Sequence, residues 1–102
     1  MKKILLVLIC LISSSGFSLA DPKMDLGLEV YSNKAECGTC HTLKAAKSDG
    51  RIGPNLDLLN LQMSQIISAV RNGIGVMPPW EGILTYEEIE AVAYYIFNST
   101  NK

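Results

Sequence analysis

The sequence predicts a small all-α domain of three or four helices, and three observations lead there. Apolar residues recur at helical spacing in three stretches, glycines and prolines interrupt the chain between them, and no run alternates with the period of two that a half-buried strand needs. The first helix is expected from Met24 to about Lys34, where Leu26, Val30 and Tyr31 suggest one apolar face. Thr42 to Asn60 is rich in Gly, Ser, Asp and Pro, with Gly50, Gly53 and Pro54 as breakers, and is expected to be a loop. From about Leu61 to Asn72, Ile66, Ile67 and Val70 mark a second helix, with Gly73 where a left-handed terminus is easily accommodated. Gly73 to Leu84 holds Gly75, Pro78, Pro79 and Gly82; adjacent prolines fix φ and remove two donors, so this is a stiff loop. Thr85 followed three residues later by Glu88 is a capping-box pattern, and Ile89, Val92, Ala93 and Ile96 carry the last helix to Asn98.

Residues 1–20 have the organisation of a cleavable export signal: Lys2 and Lys3, an apolar run from Ile4 to Ile12, then Ser18, Leu19 and Ala20 as a small-residue cleavage site. The run is much shorter than the ~20 residues a spanning helix needs, so no transmembrane anchor is expected in the mature chain. Cys10 lies inside the run behind Ile9, which is not the setting of a lipoprotein cysteine. The expected mature protein is one domain, residues 21–102, exported to the periplasm.

That segment carries seven basic and ten acidic residues, about −3 in net charge. The balance excludes a broad basic face for nucleic acid and favours a docking partner with a positive patch, although scattered acids also simply solvate a surface. A chain this short rarely gains more than ~3–5 kcal/mol from its apolar core, so it needs a staple.

Cys37, Gly38, Thr39, Cys40 and His41 form a C-x-x-C-H pattern, and His41 is the only histidine in the sequence. Two thiols at this spacing can form thioethers to the vinyl groups of a haem, while the adjacent imidazole falls beneath the porphyrin and can bind its iron. Cys37 and Cys40 are thus the expected attachment points and His41 a metal ligand. A thioredoxin-like pair would sit in a β-α-β pattern, which is missing, and a zinc site would need four ligands where three lie together. A covalently tethered haem is also the staple that the small core requires.

The opposite axial position has only methionines as candidates. Met1 leaves with the export signal, Met24 precedes the first helix, and Met63 opens an apolar helical stretch. Met77 differs because Pro78 and Pro79 stiffen its loop and can hold a thioether at a fixed approach, so Met77 is the expected second metal ligand. A bound imidazole usually donates its other N–H to a fixed acceptor. The turn Gly53-Pro54-Asn55-Leu56 is either the source of that acceptor, through the Pro54 carbonyl, or an ordinary turn with a packed leucine. Trp80 likewise has two readings, a donor to a haem propionate or plain core, and Arg51 and Arg71 are better taken as solvated than as propionate partners.

Taken together, C-G-T-C-H at 37–41, G-P-N-L at 53–56, the Met77-Pro78 loop and the closing helix resemble the small class I c-type cytochromes, over nearly the whole mature chain. The resemblance implies the cytochrome c fold around one covalent haem c, iron bound by His41 and Met77, and a Pro54 carbonyl accepting from the histidine. It also implies that Gly27 and Tyr31 of the first helix pack against Tyr95 of the last. Segments 41–57 and 70–78 are similar to the cytochrome subunit of periplasmic sulfite dehydrogenases, which implies a molybdenum enzyme as electron donor; otherwise a free shuttle between two redox proteins is implied.

An iron held on both faces can only gain or lose an electron, so the expected activity is one-electron transfer rather than catalysis, and thioether ligation favours a high potential. The rival is a haem peroxidase or gas-binding protein with an open distal site. Peroxidase chemistry wants a distal acid-base group, and no second histidine exists to serve. A non-haem thiol oxidoreductase is a further alternative, which haem absorption of the purified protein would exclude.

Overall fold

A computed structural model describes residues 21–101, so the expected export signal at 1–20 lies outside the described residues. Helix α1 spans Pro22–Glu29, α2 Met63–Asn72 and α3 Tyr86–Thr100. Two short strands, β1 (Thr42–Leu43) and β2 (Ser48–Asp49), pair antiparallel, with Thr42 opposite Asp49 and Leu43 opposite Ser48.

The first helix starts earlier than its apolar spacing suggested. Asp21 caps it, its carboxylate accepting from the N–H groups of Lys23 and Met24 at 3.2 Å each, and Pro22 occupies a first-turn position whose missing N–H costs nothing. The α-helix also stops short of Lys34. Val30–Lys34 forms a π-helical turn, closed by the Ala35 N–H donating to the Val30 carbonyl at 2.8 Å. Such a turn inserts a residue and rotates the chain beyond it, and it buries Val30 and Tyr31 side by side.

The segment expected to be a plain loop has structure of its own. Leu43 is fully buried at the β1–β2 hairpin, and 3₁₀ turns cover Lys44–Ala46 and Leu56–Leu58. Asp57 ties the two turns together by accepting from the Lys44 N–H at 2.8 Å. Two-residue strands are too short to show an alternating pattern, which is why the sequence does not announce them.

Helix α2 begins at Met63 rather than Leu61, with the Gln65 side chain accepting from the Gln62 N–H at 2.8 Å. It ends at Gly73, whose φ of 73° and whose approach to the Met77 carbonyl both exclude a side chain. The next loop folds back on α2: the Trp80 N–H donates to the Val70 carbonyl at 2.9 Å and that of Glu81 to the Arg71 carbonyl at 3.3 Å. Helix α3 opens on the expected capping box, Thr85 Oγ1 accepting from the Glu88 N–H at 3.1 Å and the Glu88 carboxylate from the Thr85 N–H at 2.9 Å.

The core lies where α1 and α2 meet α3, around Val30, Tyr31, Val70, Val92 and Ile96. Burying one such aliphatic side chain is worth ~1.5–3 kcal/mol. Tyr31 and Tyr95 add a tilted aromatic pair, ring centroids 6.1 Å apart and planes at 53°, worth ~0.5–1.5 kcal/mol beyond burial. Outside the core, Lys34–Glu88 at 2.9 Å and Lys23–Glu90 at 3.7 Å join the first helical segment to α3.

Candidate haem site

The Cys37–Thr39 segment is a 3₁₀ turn entered through Glu36, which adopts a left-handed conformation with φ 49°. That reversal turns the chain from the π-helical segment into the motif. The Cys37 carbonyl accepts from the N–H groups of Cys40 at 3.1 Å and His41 at 3.0 Å, so both thiols and the imidazole leave one compact turn. Both cysteines are half-buried free thiols. Cys37 packs against the core, and desolvation pushes its thiol up to about 11, so it stays protonated at neutral pH.

The next two carbonyls are also held. That of Cys40 accepts from the Gly53 N–H at 2.6 Å, and that of His41 from the Gly50 N–H at 3.2 Å. Gly53 lies against the imidazole: a Cβ there would fall 2.6 Å from His41 Cε1. With the ring so cradled, His41 Nδ1 meets the Pro54 carbonyl at 2.8 Å. A carbonyl only accepts, so Nδ1 carries a proton, and in the neutral ring Nε2 is then the nitrogen with the free lone pair. Of the two readings of the Gly53-Pro54 turn, the acceptor is the one observed, and Leu56 behind it is buried.

Met77 sits across the molecule's second loop. The Met77 N–H donates to the Ile74 carbonyl at 2.9 Å and the Ile74 N–H to the Met77 carbonyl at 3.1 Å, closing a tight turn through Gly75 and Val76. Met77 is half-buried against the core cluster that also receives Cys37. The fold thus brings Cys37, Cys40 and His41 into one turn and sets Met77 on a separate, stiff loop against the same core. Trp80 is half-buried there as well, Arg71 pairs with Glu81 at 3.4 Å, and Arg51 is exposed.

This set fits a covalently attached haem. Two unpaired thiols would take the vinyl groups, Nε2 is the free ring nitrogen, a soft thioether stands on a constrained loop, and glycine at 53 is what lets the imidazole lie flat against the chain. Two residues that frame the site carry no signal in the sequence. Ser48 contacts the motif from β2, and Asp57 fixes the Lys44 backbone. A lone serine or aspartate in a loop has no spacing pattern to reveal it.

Helices packed around a C-x-x-C-H turn, with a proline carbonyl behind the histidine, define a class I c-type cytochrome. Comparison with known proteins agrees: the family described as "Cytochrome C oxidase, cbb3-type, subunit III" matches residues 22–96. Cytochrome c6 of Tetradesmus obliquus is 31% identical over 87 residues, covering 76% of this chain and 93% of that protein. Cytochrome c6 of Euglena gracilis is 37% identical over 78 residues, covering 70% and 86%. The crystal structure of the c-type cytochrome SorU from Sinorhizobium meliloti superposes with a TM-score of 0.74 at 46% identity, over 79% of this chain and 94% of that one. The chain belongs to the c-type cytochrome family as a small class I member, an electron carrier rather than an enzyme, whose cofactor is covalently attached haem c. As such it exchanges electrons with redox partner proteins, and no helix among the described residues is long and apolar enough to cross a membrane.

Proposed function

We propose that Cys37 and Cys40 carry the haem through thioether bonds and that His41 Nε2 and Met77 Sδ are its axial ligands. The observation that supports this most directly is the 2.8 Å contact from His41 Nδ1 to the Pro54 carbonyl, which fixes the tautomer a ligand needs and raises the basicity of Nε2. Bound, the haem would supply a one-electron couple. The chain's own work is to hold that couple still. Pro54 and Gly53 orient the imidazole, the Ile74–Met77 turn with Pro78 and Pro79 presents the thioether, and the apolar core keeps water from the buried side of the site. Both ligands come from constrained backbone, so a change of one charge moves little, and a thioether with an apolar surround favours the reduced state. Intact mass of the exported protein and its pyridine-haemochrome spectrum test the attachment: a polypeptide lacking the mass of a haem would end the proposal.

Residues 1–20 direct export in this reading, and the carrier works in the periplasm after cleavage behind Ala20. Its donor is a molybdenum sulfite dehydrogenase, which must hand on the two electrons of sulfite oxidation one at a time. The likeness of segments 41–57 and 70–78 to the cytochrome subunits of such enzymes supports this partner. Purification from the native periplasm, followed by sulfite-dependent reduction of the fraction, is the test. A molybdenum protein that co-purifies and reduces the haem on sulfite addition establishes a stable subunit. Reduction only after mixing separate fractions establishes a shuttle, and no reduction by sulfite overturns the donor.

A further inference from the structure

The hydroxyl of Ser48 is the meeting point of four groups from three parts of the chain. It lies 2.8 Å from the Tyr31 hydroxyl, 3.0 Å from the Leu43 N–H and 3.0 Å from the His41 carbonyl, with the Leu43 carbonyl a more distant 3.5 Å away. A serine has one hydrogen and two lone pairs. The Leu43 N–H takes one lone pair. Tyr31 is 1% exposed, and Ser48 is the one hydrogen-bond partner its hydroxyl has among the described residues, so a hydrogen pointed elsewhere would be buried unpaired. Tyr31 therefore donates to Ser48, and Ser48 is left to donate its own hydrogen to the His41 carbonyl. Desolvation pushes the phenol up to about 12, so it keeps its proton at every pH the protein meets.

Two backbone features exist to make this chain of bonds possible. The π-helical turn at Val30–Lys34 sets Tyr31 at its buried angle, facing Tyr95 on one side and Ser48 on the other. Gly38, inside the C-x-x-C turn, leaves room for Ser48: a Cβ at 38 would fall 2.6 Å from the Ser48 Cβ. The serine thus lies directly beneath the turn that carries the thiols and the imidazole.

We propose that Ser48 and Tyr31 are positioning residues for His41, holding its backbone carbonyl through the relay Tyr31 O–H to Ser48 O–H to His41 C=O. The inference rests on the reading of His41 as an iron ligand. The Pro54 contact fixes the ring from the side-chain end, and the relay fixes the same residue from its backbone, anchored in the core. Without it the His41 carbonyl keeps, among the described residues, the longer 3.2 Å bond from Gly50, and the Leu43 N–H loses its contact with the Ser48 hydroxyl.

The test uses the haem-loaded protein and the variants Ser48→Ala and Tyr31→Phe, each first shown by mass and haemochrome to carry its haem. Hydrogen exchange of the His41 Nδ1–H is measured by NMR against that of the Val92 amide, which lies fully buried in α3 and reports global opening. The ratio of the two rates is expected to rise about fivefold in Ser48→Ala, as the loss of one net hydrogen bond implies, and by less in Tyr31→Phe, where Ser48 still reaches His41. The haem-methyl shifts of the oxidised protein, which depend on the plane of the axial imidazole, are expected to move in the same order. If Ser48→Ala does not fold, Tyr31→Phe alone carries the comparison. Loaded variants with lower stability but an unchanged exchange ratio and unchanged methyl shifts would overturn the relay as a positioning device. A wild-type protein without haem would instead overturn the site on which it rests.

Discussion

Gly27 and Tyr95 touch where α1 crosses α3: a Cβ on residue 27 would stand 2.5 Å from the Tyr95 Cβ and press into the Ala91 carbonyl. Neither neighbour is the free end of a flexible side chain, so the helices would have to part. Gly27→Ala gains ~1 kcal/mol of helix propensity but overpacks a contact of the kind that costs ~1–3 kcal/mol, and the Tyr31–Tyr95 pair next to it would open as well. The haem-loaded variant is expected to lose about 1–2 kcal/mol, read as a lower urea midpoint at unchanged slope. A midpoint equal to or above wild type would show that the crossing has slack.

Gly53 plays the corresponding part at the imidazole. An alanine there would place Cβ 2.6, 2.9 and 3.0 Å from His41 Cε1, Nδ1 and Nε2, forcing the ring off its contact with the Pro54 carbonyl at a cost on the order of 1 kcal/mol for the bond alone. Gly53→Ala is expected to lower the haem-loaded fraction of exported protein severalfold by intact mass and to shift the potential of the loaded part. Loading and potential both equal to wild type would show that the ring does not need this cradle.

These two glycines also mark how far the sequence could be read. The C-x-x-C-H turn and the Thr85–Glu88 box were legible because each is a local pattern whose chemistry depends on spacing alone, whereas the Pro54 acceptor was one of two readings of its turn until family likeness favoured it. Gly27 with Tyr31 and Tyr95 came from family likeness, since nothing in their spacing says that they meet. The π-helical turn was not legible: a helix-period stripe looks the same whether or not one residue is inserted. Nor were the left-handed Glu36 and Lys47, because a non-glycine residue with positive φ is held there by its surroundings rather than by its own preference. Ser48 was invisible for the same reason, its role being made entirely by the groups that the hairpin brings against it.

Met77 and Met63 are both half-buried against the same core, which makes them a matched pair. If Met77 is the axial ligand, Met77→Ala removes the methionine-to-iron charge-transfer band and lowers the potential, while Met63→Ala, at a similar packing cost, leaves both unchanged. Oxidised absorption spectra and redox titration of the two variants decide it. A band that survives in Met77→Ala would assign the sixth position elsewhere.

Glu88 is held below the usual carboxylate range, first by the Thr85 N–H that it caps and then by Lys34, and the same carboxylate raises Lys34 above the usual lysine value. A depressed acid stabilises the fold above its unfolded value and loses that contribution as pH falls through the folded one. A raised lysine stabilises below its unfolded value and loses it as pH rises through the folded one. Glu88→Gln keeps a cap acceptor at the third helical position but removes the charge, so it isolates the ionic part. The midpoint of thermal unfolding is expected to fall by about 2 °C in the variant at neutral pH, with the gap to wild type closing below pH ~4 and narrowing above pH ~10.5 as Lys34 loses its charge. A gap that persists unchanged at about pH 3 would mean that the carboxylate acts through its cap geometry and not through its charge.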